Sequence, residues 1–178
     1  MTLRLRMTYE AAQRAAHESD LLRSLAFNDA LTGLPNRRGL AQQVDQRLQE
    51  AGTGRLMALY LLDLDGFKAV NDRHGHETGD ALLVAVAEGL RRHLPSGDIA
   101  ARLGGDEFVV LADGLDREQA KDLAARLKLA VGPPIHWEHR ALKVGVSLGI
   151  GWAACGMGID EVLHTADELM YVEKRSRT

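Results

Sequence analysis

Leu56-Met-Ala-Leu-Tyr-Leu-Leu62 is an unbroken apolar run, and Asp63-Leu-Asp65 follows it at once. A run of this length without alternation reads as a strand buried on both faces, as in the middle of a helix-covered sheet. Its last apolar residue thus delivers two carboxylates to one end of the strand. A second pair stands further along, in Gly104-Gly105-Asp106-Glu107. The strand-like runs Ile99 to Leu103 and Phe108 to Ala112 flank it, and two glycines supply the positive φ angles of a tight hairpin. If that hairpin pairs beside the first strand, four carboxylates converge at one sheet edge. Such crowding raises carboxyl pKa values and costs stability unless a cation neutralises it. Hard oxygen ligands, without clustered Cys or paired His at ligand spacing, favour magnesium or manganese over zinc. The plainer alternative is that acidic residues merely decorate two turns, where they are common.

Outward from these two segments the chain alternates helix and strand. Thr8 to Asn28 contains neither Gly nor Pro, with apolar residues at helical spacing through Ala11, Ala15, Leu22 and Leu25. This predicts one exposed helix with a weak apolar stripe, of the kind that gains from a coiled-coil partner. Leu31 to Pro35 reads as a turn and Arg37 to Gln49 as a helix ending before Gly52 and Gly54. Asp80 to Leu94 carries Leu82, Leu83, Val86 and Leu90 on one face and stops at Pro95 and Gly97. A helix from Arg117 to Ala130 precedes Pro133-Pro134. Then Val144, Val146, Leu148 and Ile150 alternate with Gly145, Ser147, Gly149 and Gly151, a strand bulky on one face and nearly bare on the other. An amphipathic helix from Ile159 to Lys174 closes the order, which implies a mixed sheet with helices packed against it.

The 178 residues suit one domain of residues 29–178 plus an appended signalling or coiled-coil-like helix over 1–28. A net charge of −3 offers no general field for nucleic acid or an anionic membrane, so a polyanionic ligand must be held by local cations and a metal. The lone Cys155 can form no internal disulfide and lies in a Gly/Ala-rich stretch, which reads as a small buried residue. A reducing cytoplasm is the expected location. No apolar run approaches the roughly 20 residues that span a bilayer, and Met1 to Arg6 leads into polar sequence rather than a signal-peptide core. No membrane contact is expected within this chain. There is no Gly-x-x-x-x-Gly-Lys-Ser/Thr loop and no dinucleotide fingerprint, so kinase-like, P-loop and Rossmann readings fall away. His74 and His76 lie in a loop-like region and are not assigned to a metal.

Five segments in order carry a resemblance: Asp29-Ala-Leu-Thr-Gly-Leu-Pro-Asn-Arg-Arg38; Asp63-Leu-Asp-Gly-Phe-Lys-Ala-Val-Asn-Asp72 through Gly79-Asp80; Arg102-Leu-Gly-Gly-Asp-Glu-Phe108; Ser147-Leu-Gly149; and Ala166-Asp-Glu-Leu-Met-Tyr171. Together they resemble the successive signatures of the GGDEF family of diguanylate cyclases. The resemblance implies a palm-like α/β (α+β) fold related to nucleotidyl cyclase catalytic domains, with a central five-stranded sheet flanked by helices. By motif position Asp63, the Leu64 carbonyl and Asp106 resemble the metal ligands. Glu107 matches the second hairpin acid, as a metal ligand or in activating the 3′-hydroxyl. Asn71 and Asp80 match the guanine readers, and Leu31 an apolar contact to the base. The Phe67 backbone and Lys68 resemble the phosphate-binding turn, and Lys174 a lysine that reaches the phosphates. A carboxylate at Asp80 accepts from guanine N1–H and N2–H₂ together, a pair adenine lacks. Asp80 also reads as an N-cap of the following helix, and Lys174 as a solvated cation at a helix C-terminus.

The implied reaction condenses two GTP into cyclic di-GMP and two pyrophosphates, dependent on Mg²⁺ or Mn²⁺. Each domain holds one GTP, so a homodimer is required, and an upstream sensor or regulatory domain is expected outside this chain. Two departures stand out. The Arg-x-x-Asp product-inhibition pattern is here Pro95-Ser-Gly-Asp98, with Asp98 alone retained; and the usual Gly-Arg turn after Lys174 is replaced by Arg175-Ser-Arg177-Thr178, where Arg177 is the candidate substitute. Competing readings are a catalytically weak module acting as a GTP or cyclic di-GMP receptor, a pure interaction module, and another palm-type nucleotidyl transferase.

Overall fold

The computed structural model describes residues 3–51 and 56–176. Helices α1 (Leu3–Phe27) and α2 (Arg37–Ala51) come first. Strand β1 (Met57–Asp65) then leads into α3 (Phe67–His74) and α4 (His76–His93), and the hairpin β2 (Ile99–Gly104) and β3 (Glu107–Asp113) follows. After α5 (Arg117–Val131) come β4 (Ile135–Trp137), β5 (Arg140–Leu142), β6 (Gly145–Ala153) and α6 (Ile159–Ser176).

Strands β2-β3-β1-β6 form the central sheet, and all three neighbouring pairs are antiparallel. Strand β1 lies in the interior, with Leu61 opposite Val109 on one side and Gly149 on the other. Each helical crossover skips one strand position, so two split β-α-β units interleave. The α+β, palm-like expectation holds. The sheet, however, has four strands rather than five among the described residues, and it is antiparallel rather than mixed. The remaining two short strands pair only with each other. Glu138 and His139 both take positive φ, 43° and 64°, which is what a two-residue hairpin turn needs to match the strand twist. Three-residue strands carry too little alternation to be read from sequence, and this hairpin was not anticipated.

Alternation along β1 feeds two cores. Ala58, Tyr60, Leu62 and Leu64 face α4 and α5, where Leu82, Val86, Leu90, Leu123 and Leu127 are buried. Met57, Leu59 and Leu61 face α2 and α6, against Leu40, Val44, Val162 and Leu163. Tyr60 satisfies its buried hydroxyl by donating to the Ala120 carbonyl at 3.1 Å, and burial pushes its pKa up. The bare face of β6 has a tertiary cause. A Cβ on Gly149 would overlap the Ala166 carbonyl, and one on Gly151 would stand 2.6 Å from the Val162 carbonyl, so α6 lies directly on the strand backbone.

The junction of α1 and α2 is closed by Asn36. Its side chain donates to the Ala26 and Asn28 carbonyls at 3.1 and 3.2 Å, serving carbonyls left without helical partners, and accepts from Gly39 N at 3.0 Å as the N-cap of α2. Further up α1, Leu21, Leu22 and Leu25 stay exposed.

Three local expectations are corrected. Helix α4 starts at His76, so Asp80 lies inside it and is not its N-cap; Gly75, at φ 88°, makes the break. His74 and His76 lie in helices rather than in a loop-like region, His74 ending α3 and His76 opening α4, and Thr78 closes the α3–α4 corner by donating to the His74 carbonyl at 2.9 Å. Cys155 is exposed, because it lies in the turn after β6 rather than in the strand.

Candidate functional site

The acidic end of β1 and the hairpin meet as the sequence pattern required. Asp63 lies directly opposite Glu107 on β3 and opposite Ser147 on β6. All three residues share the α2/α6 side of the sheet with Leu59 and Leu61, by alternation. Asp106 stands at the turn, which Gly104 (φ 144°) and Gly105 (φ 52°) make possible. The main chain of the turn also reaches β1, where Leu64 N donates to the Asp106 carbonyl at 3.3 Å. A residue's N–H and C=O leave an antiparallel strand on the same edge, so the Leu64 carbonyl faces the hairpin too.

The electrostatics record the crowding. Burial, followed by the charge of Asp63, pushes the Asp106 pKa up, against relief from Lys174 and Arg102. Glu107 is also raised, by burial first and then by Asp63, Asp106 and Asp167. Lys174 enters the group: its Nζ, from the last turns of α6, donates to Asp63 Oδ1 at 2.5 Å and lies 4.0 Å from Asp65 Oδ1. Burial pulls its pKa down, and the hydrogen bond it donates to Asp63, with the charges of the surrounding carboxylates, outweighs this and leaves it raised. The reading of Lys174 as a merely solvated helix-end cation is replaced by this pairing.

These residues suit a hard divalent cation. The donors are hard oxygens whose negative charge one ammonium leaves under-compensated. Among the described residues no three His, Cys, Asp or Glu side chains form a self-sufficient metal cage.

A second cluster lies at the α3–α4 corner. Phe67 and Lys68 open α3 directly after Gly66, whose φ of 85° turns the chain away from β1. Asn71 Oδ1 is buried with no hydrogen-bond partner among the described residues. It occupies the place where a Cβ on Gly79 would be, so Gly79 is glycine because the Asn71 amide lies against α4. Asp80 follows immediately and is exposed. An unsatisfied buried acceptor costs about 1–3 kcal/mol, a cost that a donor-bearing ligand removes. Gly79→Ala gains about 1 kcal/mol of helix propensity. It rotates the Asn71 amide away, so the expected outcome is an unchanged melting temperature with about tenfold weaker GTP binding by calorimetry.

Leu31 is exposed on the turn between α1 and α2. Asp29 organises this turn, accepting from Thr32 N at 2.9 Å and from Thr32 Oγ1 at 2.6 Å. Arg102 ties the turn to the hairpin: its Nη1 donates to both Asp29 oxygens at 2.9 and 3.0 Å, while Nε and Nη2 donate to the Gly105 carbonyl at 3.1 and 2.7 Å. Burial would raise the Asp29 pKa, but the Thr32 and Arg102 bonds outweigh it and hold the carboxyl low. Arg102, Asp29, Asn36, Ser147 and Gly79 had no assigned role from sequence; each sits within a recognised motif, but its partner lies elsewhere in the chain. Arg177 falls outside the described residues.

Comparison with known proteins gives a consistent result. Over 152 residues the chain is 40% identical to the bifunctional diguanylate cyclase/cyclic di-GMP phosphodiesterase MucR of Pseudomonas aeruginosa, covering 84% of this chain and 22% of MucR. It is 40% identical over 163 residues to the probable diguanylate cyclase DgcE of Escherichia coli, covering 89% of this chain and 14% of DgcE. The chain therefore spans under a quarter of the length of either relative. Among solved structures, the coiled coil and GGDEF domain of DgcB from Caulobacter crescentus, in complex with c-di-GMP, superposes with a TM-score of 0.86 at 27% identity, over 97% of this chain and 93% of that one. Residues 26–178 match the family described as diguanylate cyclase, GGDEF domain, and the chain belongs to that family.

Proposed function

We propose that this chain condenses two GTP into cyclic di-GMP as a magnesium- or manganese-dependent homodimer. The observation that carries the reading is the cross-strand pair Asp63 and Glu107 with Asp106 at the adjoining turn, where Lys174 donates to Asp63 and its charge also reaches Asp106. In this reading Asp63, Asp106 and the Leu64 carbonyl would hold the metal, which when bound stabilises charge developing on the α-phosphate, and Glu107 is either a further ligand or the acid that serves the attacking hydroxyl. Lys68, the Phe67 backbone and Lys174 hold phosphates at the start of α3 and the end of α6. Asn71 offers its buried amide oxygen to the guanine N2–H₂, Asp80 accepts from N1–H and N2–H₂, and Leu31 covers the base. The attacking 3′-hydroxyl loses its proton to an acid of the hairpin, with Glu107 the candidate because burial and neighbouring charge raise its basicity.

Each site binds one nucleotide, so two copies must face each other. The exposed Leu21, Leu22 and Leu25 of α1 favour this helix as the pairing element, which raises the effective concentration of the facing domain. The DgcB structure solved with c-di-GMP is described as that of a coiled coil and a GGDEF domain. Among the described residues no helix is long and apolar enough to cross a membrane.

The test is incubation of the purified chain with GTP and Mg²⁺, products being resolved by chromatography. Cyclic di-GMP with pyrophosphate is expected, and ATP alone should give no cyclic dinucleotide. Weak product inhibition is expected as well. Pro95 stands where an arginine would be, and the arginines whose charge reaches Asp98, Arg47 and Arg126, already donate to the Gly97 and His93 carbonyls. Submicromolar inhibition by cyclic di-GMP that Asp98→Ala abolishes would contradict this.

A further inference from the structure

Lys174 lies beside two carboxylates of β1, Asp63 and Asp65, and of these two only Asp63 has a part in the proposed reaction. Its Nζ donates to Asp63 at 2.5 Å and lies 4.0 Å from Asp65. Asp65 is itself firmly held. The fully buried hydroxyl of Ser147 reaches its Oδ1 and Oδ2 at 2.8 and 3.1 Å. The facing residue of β6 is Gly145, where a Cβ would stand 3.1 Å from Asp65 Cβ and Oδ2. A buried hydroxyl and a bare glycine thus fix a carboxylate beside the ammonium.

We propose that Lys174 is the resident counter-charge of Asp63 in the nucleotide-free protein, and that Asp65, positioned by Ser147, is its second holding point when a divalent cation takes Asp63. The proposal rests on the cyclase reading and adds two positioning residues to it, Asp65 and Ser147, both acting through Lys174. Two cations compete for the charge of one carboxylate, so in this proposal metal binding alone weakens the hold of Asp63 on the ammonium. A half-buried ammonium without a partner is costly, and Asp65 removes that cost while keeping Lys174 beside the site. Nucleotide phosphates supply a further partner for Lys174, so metal and nucleotide each raise the affinity for the other.

The experiment is a Mn²⁺ titration of the whole chain without nucleotide, free Mn²⁺ being read by its electron paramagnetic resonance signal. Lys174→Met is expected to bind Mn²⁺ about tenfold more tightly than the parent, since the charged hydrogen bond no longer competes. Arg37→Met removes an equal charge near Glu107 without touching Asp63 and is expected to change Mn²⁺ affinity by no more than about twofold. Asp65→Asn should weaken Mn²⁺ binding more in the parent than in the Lys174→Met background, and Ser147→Ala should follow Asp65→Asn. Lys174→Gln serves as the second variant if methionine disturbs α6. An unchanged affinity in both Lys174 variants, an equal gain in Arg37→Met, or an Asp65→Asn effect identical in both backgrounds overturns the proposal. If, measured against GTP and Mn²⁺ without protein, the parent takes up no further Mn²⁺ in the presence of GTP, the cyclase reading falls and this proposal with it. If Mn²⁺ binds with GTP but the Lys174 variants leave nucleotide-free binding unchanged, only the lysine proposal falls.

Discussion

Asp106→Ala/Glu107→Ala is expected to lower cyclic di-GMP formation by at least about a thousandfold, the scale on which removing preorganised charge stabilisation slows an enzyme. The fold should survive, and the reason is electrostatic. Both carboxyls have raised pKa values, from burial first and then from like charges nearby. An acid whose folded pKa lies above its unfolded value destabilises the folded state once pH rises through the unfolded value and the group ionises there. At neutral pH the native protein therefore carries this repulsion, and removing it should leave the melting temperature equal or higher. Cyclic di-GMP production by chromatography and thermal unfolding by circular dichroism measure the two halves separately. A variant that keeps near-parental turnover would refute the role given to the hairpin acids; one that loses activity only because it unfolds would refute the electrostatic argument.

The second large effect is structural. Gly149→Ala places a Cβ into the Ala166 carbonyl and 2.8 Å from Met170 N, both main-chain atoms of α6. No side-chain rotation relieves this, so the helix must move off β6, at a cost of about 3–5 kcal/mol, the upper range for single substitutions. Helix α6 buries Val162, Leu163, Ala166 and Met170 in one core and also carries Lys174. Urea unfolding is expected to show the loss of stability, and GTP binding should weaken in the fraction that remains folded. A variant as stable as the parent would mean that α6 does not rest on the strand backbone here.

Both predictions use features that were differently legible. The apolar run before Asp63 could be read as a buried strand because burial on both faces leaves a continuous local signature, and β1 is buried over Met57 to Leu62. The glycine pair announced the hairpin because only a few residue types take positive φ cheaply. The bare face of β6 was visible as a pattern, although what covers it was not. Helix α3 was not read from the sequence and α4 was begun too late, at Asp80 rather than His76, because a two-turn helix carries too few apolar positions to show a period and Gly75 breaks the pattern between the two.

By itself the sequence determined the acids and glycines, the order of elements and the family they mark, since each depends on residues close together in the chain. Tertiary structure alone decided which groups meet. Lys174 reaches Asp63 across 111 positions, Arg102 joins Asp29 across 73, and Ser147 holds Asp65 across 82. It also decided that the sheet has four antiparallel strands and that Gly79 makes room for Asn71. Such pairings follow from packing the helices onto the sheet, where geometry and local dielectric set the energy of a contact, and no local pattern of residues encodes either.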